Sequence, residues 1–247
     1  MTQVEEEVRA LTAYKFDECN DCGKIPWYNT EAFDPRETLQ HKMGTISDAY
    51  NELGRSKLEY VRFYMENHKQ IPTWIMLKVV NFSTFIYIVQ YSKMDVSHSL
   101  CKLYGMIDEA EKPNVKLLIG SLHWMRIIRN SCAHNERIYC IFRHQDPKRQ
   151  NGRIIEKYIR QLRPVYKRSS DQCLFDLFIY FKYYLPEREF KVFINTLIKM
   201  MDGLKSSISP IAFDYIRGKM GIKDLNDLVQ LRDLPKDKIE YNRFGDL

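Results

Sequence analysis

Apolar residues recur at helical spacing along much of this 247-residue chain. Segment 36–56, "RETLQHKMGTISDAYNELGRS", carries apolar side chains at intervals of about 3.6 residues, and so does segment 57–70, "KLEYVRFYMENHKQ". Both patterns predict amphipathic helices whose apolar side faces a core. The residues expected on that side are Leu39, Met43, Ile46, Ala49, Tyr50, Leu53, Leu58, Val61 and Met65.

The stretch "IPTWIMLKVVNFSTFIYIVQYS", residues 71–92, is apolar nearly all round. This pattern predicts one central helix that starts near Pro72, because proline is favoured at the first turn of a helix. The β-branched residues of the stretch make a strand the competing interpretation, but its length favours the helix.

Helical periodicity continues through the second half of the chain, and the scarcity of Gly (10) and Pro (9) favours long helices over a turn-rich β fold. We therefore expect an all-α protein in three parts. These are an irregular N-terminal segment (1–34), an all-α domain (35–220), and a C-terminal helix and tail (221–247).

Charge and cysteine use narrow the class of protein only modestly. The net charge of +6 is informative only where it is clustered. The acidic start "MTQVEEEVRA" does not resemble a signal peptide, and no run of 18 apolar residues predicts a membrane span. We expect a cytoplasmic protein with reduced thiols and no membrane partner.

Cys19 and Cys22 have zinc-ligand spacing without the two further ligands of a structural site, so we interpret them as thiols in a loop.

The stretch "HWMRIIRNSCAHNERIYC", residues 123–140, has two different faces when it is drawn as a helix. A solvated surface is one interpretation of its polar face, although Lys and Glu are more typical there than Arg, Asn and His. The face expected to pack on the core holds Leu117, Ser121, Trp124, Met125, Ile128 and Cys132. The opposite arc holds His123, Arg126, Asn130, Ala133, His134 and Arg137, with Arg129 at its edge.

The polar arc has the chemistry needed to bind and cleave a phosphodiester. Arginine offers a planar fork of donors to phosphate oxygens, and histidine exchanges protons near neutral pH. RNA supplies its own nucleophile, the 2′-hydroxyl, so we expect no metal and no other cofactor. One histidine cannot serve both sides of a phosphorus atom, which favours a two-fold dimer with two such helices opposed.

The string "RNSCAH" matches the R-x4-H motif of HEPN-domain ribonucleases, and the wider string "LHWMRIIRNSCAHNERIY" resembles the Abi-like (abortive infection, AbiD/AbiF type) branch of that superfamily. Upstream "IPTWIMLKVVNFSTFIYIV" and downstream "LFDLFIYFKYYLP" resemble further blocks of the same family. The likeness covers about residues 56–205, and residues 1–50 match less well.

This resemblance implies a HEPN-like multi-helix bundle with additional C-terminal helices, and a homodimer through the Arg/His helix. It also implies metal-independent RNA cleavage that leaves 2′,3′-cyclic phosphates, with Arg129 and His134 catalytic and Asn130 supporting them. The implied biology is bacterial phage defence or toxin–antitoxin-like growth arrest, in some members with a small structured RNA. The chain departs from the family pattern at Asn135, where a second His is common, and at Cys140, where Asn is usual.

Basic residues cluster directly after this stretch. Residues 143–168 hold nine Lys or Arg and two acidic residues, interleaved with Tyr158 and Tyr166. Such clustering is typical of a surface that binds a nucleic-acid backbone, whereas the alternative is a solubilising surface helix. The predicted RNA-binding residues are Arg126, Arg137, Arg143, Lys148, Arg149, Arg153, Lys157 and Arg160.

Three hypotheses follow from the sequence. The first is a dimeric HEPN endoribonuclease of the Abi-like type. The second is an RNA-binding protein of the same fold that does not cleave, held in a complex with a small structured RNA. The third is a purely structural interaction domain.

Overall fold

A computed structural model describes residues 1–107, 112–142 and 173–234 of the chain. In these residues every regular element is a helix, and the β contacts are two isolated bridges. The prediction of an all-α protein is therefore confirmed. Two 3-10 helices span Thr30–Ala32 and Ile138–Cys140. The α-helices are α1 Thr2–Glu18, α2 Leu39–Arg55, α3 Glu59–Asn67, α4 Thr73–Val79, α5 Phe82–Tyr91, α6 Met94–Leu103, α7 Val115–Ala133, α8 Leu174–Tyr184, α9 Glu187–Ser207, α10 Pro210–Lys219 and α11 Asn226–Asp233.

The chain divides into two compact units, Met1–His123 and Trp124–Leu247, and the boundary falls within α7. In the first unit α1 packs on α4 and α6, and α2 packs on α5 and α4. Side-chain hydrogen bonds also connect the segments around α1 and α4: the Trp27 indole donates to the Ile71 carbonyl at 2.8 Å. The Thr73 hydroxyl donates to the Asp17 carboxylate at 2.5 Å.

The N-terminal segment is helical for about half its length, so the expectation of an irregular segment over 1–34 is wrong there. Helix α1 runs from Thr2 to Glu18. Its buried side includes Val4, Val8, Thr12 and Phe16, a strict four-residue spacing that follows one helical face. Only the part that follows α1 consists of turns and one 3-10 helix.

The apolar stretch 71–92 forms two helices instead of the single one expected. Helix α4 ends at Val79, and α5 begins at Phe82. Asn81 is the N-cap of α5, and its side-chain oxygen accepts hydrogen bonds from the backbone N–H groups of Ser83 (2.8 Å) and Thr84 (3.0 Å). An N-cap asparagine satisfies donors that would otherwise lack partners, so the break is favourable although apolar residues flank it.

Two charged side chains from other helices complete this break. The Arg9 guanidinium of α1 donates to the carbonyls of Leu77 and Val80, at the C-terminal end of α4. The Glu52 carboxylate of α2 accepts from the backbone and side-chain N–H groups of Asn81. A cation therefore lies at the negative end of one helix dipole and an anion at the positive end of the next.

Several apolar residues of α2 and α3 lie on the surface, contrary to the expectation that their apolar sides face a core. Ala49, Leu53 and Val61 are buried as expected. The helices instead bury Lys42 and Thr45, because the inward face of α2 is rotated from the one predicted. Apolar residues of this region that are exposed are Leu39, Met43, Tyr50, Leu58, Phe63, Met65 and Trp74.

In the second unit, the C-terminal half of α7 is anchored to the start of α8. The buried Trp124 indole donates to the Cys173 carbonyl at 3.2 Å, and the Cys173 N–H donates to Asp176 at 2.7 Å. Helices α8 and α9 share a cluster of aromatic rings that includes Phe178 and Phe193. This packing fixes the helix that carries the R-x4-H motif.

No helix in the described part of the chain is long and apolar enough to cross a membrane.

Candidate functional site

The candidate site lies in the last turns of α7. The predicted core face of this helix is confirmed at Leu117, Ser121, Trp124, Met125 and Ile128, which are all buried. Cys132, expected on the same face, is exposed. Its neighbour Ser131 is buried instead, so the covered face of α7 is different in the last turn.

Arg129 and Asn130 form a side-chain pair at the surface. The Arg129 guanidinium donates to the Asn130 side-chain oxygen at 3.2 Å, and Arg129 is exposed. This contact joins two side chains that follow one another on α7 and holds the guanidinium against the asparagine amide. The supporting role that the resemblance implies for Asn130 stays a prediction.

His134 lies just after the last residue of α7, and its side chain is exposed. Its backbone N–H donates to the Asn130 carbonyl at 3.0 Å, which continues the helical hydrogen bonding by one residue. The position of His134 relative to Asn130 is therefore that of an i,i+4 pair on a helix, although α7 formally ends at Ala133.

Backbone groups alone close this helix end. The Glu136 N–H donates to the Ser131 carbonyl at 2.9 Å, and the Asn135 N–H donates to the Cys132 carbonyl at 3.2 Å. This pair of bonds is the Schellman motif, which requires a left-handed residue after the helix. Asn135 supplies it with a φ of 54°. Because the main chain satisfies itself, neither Arg129 nor His134 is needed as a cap.

The departure of Asn135 from the "AHH" pattern has a structural explanation. Among non-glycine residues, Asn, Asp and His are enriched in the left-handed region. Asn at this position keeps the left-handed backbone conformation that ends the helix. The departure from the family pattern is therefore explained by backbone geometry.

The structure alters the expected positions of two other arginines. Arg137, expected on the polar arc of α7, lies beyond the helix and precedes the 3-10 helix Ile138–Cys140, so it is not part of that arc. Arg126 is half-buried, and its Nε has no hydrogen-bond partner among the described residues. His123 is half-buried, with its ring centroid 6.2 Å from that of Tyr87.

A lysine that sequence reasoning missed lies near the segment after His134. Helix α10 packs on the 3-10 helix Ile138–Cys140. The Lys219 ammonium of α10 lies 5.4 Å from the ring centroid of Phe142 and 5.5 Å from that of Tyr215. No local motif marks this lysine, because it reaches the segment only through the packing of a helix that is distant in sequence.

The predicted RNA-binding residues Arg143, Lys148, Arg149, Arg153, Lys157 and Arg160 lie outside the described residues. Their role stays a prediction.

The two cysteines with zinc-ligand spacing lie in a turn after α1. Burial raises the pKa of the Cys19 thiol above its ordinary value, and the nearby carboxylates of Asp95 and Glu18 act in the same direction. A raised pKa keeps the thiol protonated and makes it a poor nucleophile or metal ligand. Within residues 1–107, 112–142 and 173–234, no group of three or more His, Cys, Asp and Glu is arranged to hold a metal ion.

Comparison with known proteins identifies the family. A search of curated proteins finds no match, and a search of solved structures also finds none. The sequence pattern of the Abi-like protein family matches residues 1–140, which include the whole of the R-x4-H motif. The match begins at residue 1, so the N-terminal region, expected to match less well, belongs to the family pattern. Since the match covers more than half of the chain, this protein belongs to the Abi-like protein family.

Proposed function

We propose that this protein is a metal-independent endoribonuclease of the HEPN type, acting in phage defence or in a toxin–antitoxin-like system. Membership of the Abi-like family supports the biological role. The observation that carries the chemistry is the exposed Arg129, bonded to half-buried Asn130, together with the exposed His134, all on a helix end that backbone hydrogen bonds close.

The proposed reaction is an in-line transfer within the RNA. The 2′-hydroxyl oxygen attacks the adjacent phosphorus, the bond to the 5′-oxygen breaks, and a 2′,3′-cyclic phosphate remains. Arg129 binds the non-bridging oxygens as negative charge accumulates on them, and Asn130 orients the guanidinium. The His134 imidazole accepts the proton of the 2′-hydroxyl or donates one to the 5′-oxygen.

A second protomer would supply the missing proton carrier. The attacking and leaving oxygens lie on opposite sides of the phosphorus, and one imidazole reaches only one side. A homodimer through the C-terminal end of α7 places a second His134 and a second Arg129 at the same phosphate. In such a dimer, cleavage per protomer rises with protein concentration until the dimer is fully formed.

The test compares purified wild type, Arg129→Ala and His134→Ala on total RNA in EDTA. Wild type is expected to cleave and to leave 2′,3′-cyclic phosphate ends, and each variant is expected to be slower by about 10²- to 10⁴-fold. Arg188→Ala is the matched control, because Arg188 is exposed on α9 and lies outside the site. It should cleave as fast as wild type.

Two results would decide against the nuclease. If wild type does not cut RNA, or if the two site variants cut as fast as Arg188→Ala, the proposed chemistry is wrong. If RNA copurifies with wild type and both variants and stays intact, the protein is a non-cleaving RNA-binding member of the fold.

A further inference from the structure

Helices α3 and α4 of the first unit carry a cluster of aromatic rings at the surface, which we name the aromatic surface: Phe63, Tyr64, His68 and Trp74. The Tyr64 and His68 rings stack with centroids 4.6 Å apart. Phe63 lies 5.5 Å from His68, and Trp74 lies 6.4 Å from Tyr64, both in edge-on geometry. Phe63 is 54% exposed and Trp74 is 50% exposed. Four rings are therefore pre-arranged in contact with one another while large parts of them face water.

Cations are frequent in the segment that carries this surface. Residues 55–78 contain five Lys or Arg and two Glu. None of the five cations forms an ion pair with a carboxylate among the described residues. The Lys78 ammonium lies 5.8 Å from the ring centroid of Tyr60. The five cations are Arg55, Lys57, Arg62, Lys69 and Lys78.

Two of these cations share a shallow open cleft between the C-terminal ends of α2 and α4. The cleft has a volume of about 320 Å³ and is lined by Glu52, Arg55, Ser56, Leu58, Lys78 and Val79. The Glu52 carboxylate is already bonded to Asn81 and Thr84. Arg55, Lys78 and the Ser56 hydroxyl therefore remain as donors suited to a phosphate group.

The combination favours nucleic acid over a protein partner. Exposed aromatic rings occur at both kinds of interface, but lysine is depleted from the centre of protein–protein interfaces. Three of the five cations here are lysines. Aromatic rings beside unpaired cations are what single-stranded nucleic acid requires, because bases stack on the rings while phosphates follow the positive charge.

We propose that the aromatic surface binds single-stranded RNA, with unpaired bases stacked on Trp74 and Phe63 and a phosphate between Arg55 and Lys78. This site consists of residues of the first unit and does not include Arg129 or His134. It does not depend on cleavage, so it can be tested whether or not the proposed ribonuclease activity exists.

Tryptophan fluorescence gives a direct readout of this surface. The chain has three tryptophans, and Trp27 (2% exposed) and Trp124 (0% exposed) are buried. A base that stacks on a tryptophan quenches its emission, so quenching would report on Trp74. The titration uses a 12-nucleotide oligo(U) and full-length protein carrying His134→Ala, which prevents cleavage of the probe. Saturable quenching is expected.

Three variants in the same background separate stacking from charge. Trp74→Phe keeps a ring, so it should lose the quenching and retain the affinity, measured by fluorescence anisotropy of a labelled oligo(U), to within about twofold. Trp74→Ala and Phe63→Ala should each weaken binding at least about fivefold. Tyr14→Ala is the matched control, because Tyr14 is equally exposed and lies 5.1 Å from the Lys15 ammonium on α1. It should bind as wild type does.

An abasic oligomer of the same length provides the second arm of the test. It keeps the phosphates and lacks the bases, so it should bind at least about fivefold more weakly than oligo(U). Equal affinity for the two oligomers would overturn the proposal, as would binding without quenching. If Trp74→Ala instead dissociates a dimer seen by sedimentation and leaves RNA affinity unchanged, the aromatic surface is a protein interface and the proposal is wrong.

Discussion

Two helix ends in this protein, each with an arginine nearby, are completed in different ways. At the α4–α5 break, Arg9 and Glu52 reach in from other helices and bond directly to backbone groups. At the end of α7, the backbone of residues 131–136 closes the helix by itself, and Arg129 lies at the surface. The same residue type is a structural element at the first end and a candidate catalytic group at the second.

The difference between the two ends lies in what the main chain leaves unsatisfied. The break leaves carbonyls and N–H groups without partners in an apolar region, where an unpaired polar group is costly. The left-handed Asn135 removes that need at the end of α7. An arginine becomes available for a substrate only where the backbone does not require it, and this distinction yields four predictions.

The largest effect is expected for Arg9→Ala. The Arg9 side chain is 11% exposed and bonds to Glu5 as well as to the carbonyls of Leu77 and Val80. Its removal leaves these groups without their cation and should lower the free energy of unfolding by about 2–4 kcal/mol. Urea denaturation followed by circular dichroism measures this. Arg62→Ala, an exposed arginine on α3, should change the value by less than about 0.5 kcal/mol. An equally small loss for Arg9→Ala would show that the α4–α5 break is stable without Arg9.

A smaller loss is expected for Glu52→Ala. Glu52 accepts from Asn81 and from the Thr84 hydroxyl, but it is only half-buried. Water can replace part of what is lost, so the unfolding free energy should fall by about 1–2 kcal/mol. Glu52→Gln retains an acceptor and should recover part of that loss, whereas Glu66→Ala on the exposed side of α3 should have almost no effect. The same denaturation experiment measures all three variants.

Asn135 tests the self-closing end of α7. Asn135→Ala puts an unsuitable residue in the left-handed region and should lower the unfolding free energy by about 1 kcal/mol. Asn135→Gly and Asn135→His should stay near wild type, since both residues tolerate that conformation better than alanine. If all three behave alike in thermal denaturation, the left-handed conformation does not end this helix.

The smallest stability effect is expected for Arg129→Ala. Because Arg129 is exposed, its contacts compete with water, and its removal should change the unfolding free energy by less than about 0.5 kcal/mol. When the two variants are compared, Arg9→Ala should lose stability, whereas Arg129→Ala should lose RNA cleavage. A large stability loss for Arg129→Ala would mean that both arginines are structural.

The sequence predicted the fold class and the location of α7 well, but it predicted the helix boundaries poorly. Periodicity sufficed for α2, which begins after Thr38 as an N-cap. It failed at Asn81, where buried apolar residues on both sides concealed a capping residue. The break becomes evident only with Arg9 and Glu52, which are far from it in sequence.

The direction in which side chains face was also only partly predictable. Apolar spacing on α3 predicted that Leu58 and Met65 face a core, yet of the three residues expected there only Val61 is buried. A helical pattern specifies which residues share a face, but it does not specify which face another helix covers. Phe63, which is 54% exposed, lies on a side of α3 that faces water, and it contributes there to the aromatic surface.

For the candidate site, the motif specified residue identities and the resemblance supplied their roles. The motif did not show that α7 ends at Ala133, before His134 and Arg137. Arg137 was placed on the wrong face for this reason. No local pattern could identify Lys219, because its proximity to Phe142 depends on the packing of α10.

The α4–α5 break also bears on the order in which the protein is made. Arg9 and Glu52 precede residues 77–84 in the chain, so both partners have been synthesised before the backbone groups that need them. Domains assemble from the N-terminus as the chain leaves the ribosome. The side chains that complete the break are therefore already present when residues 77–84 emerge, and the break needs no part of the chain that is made later.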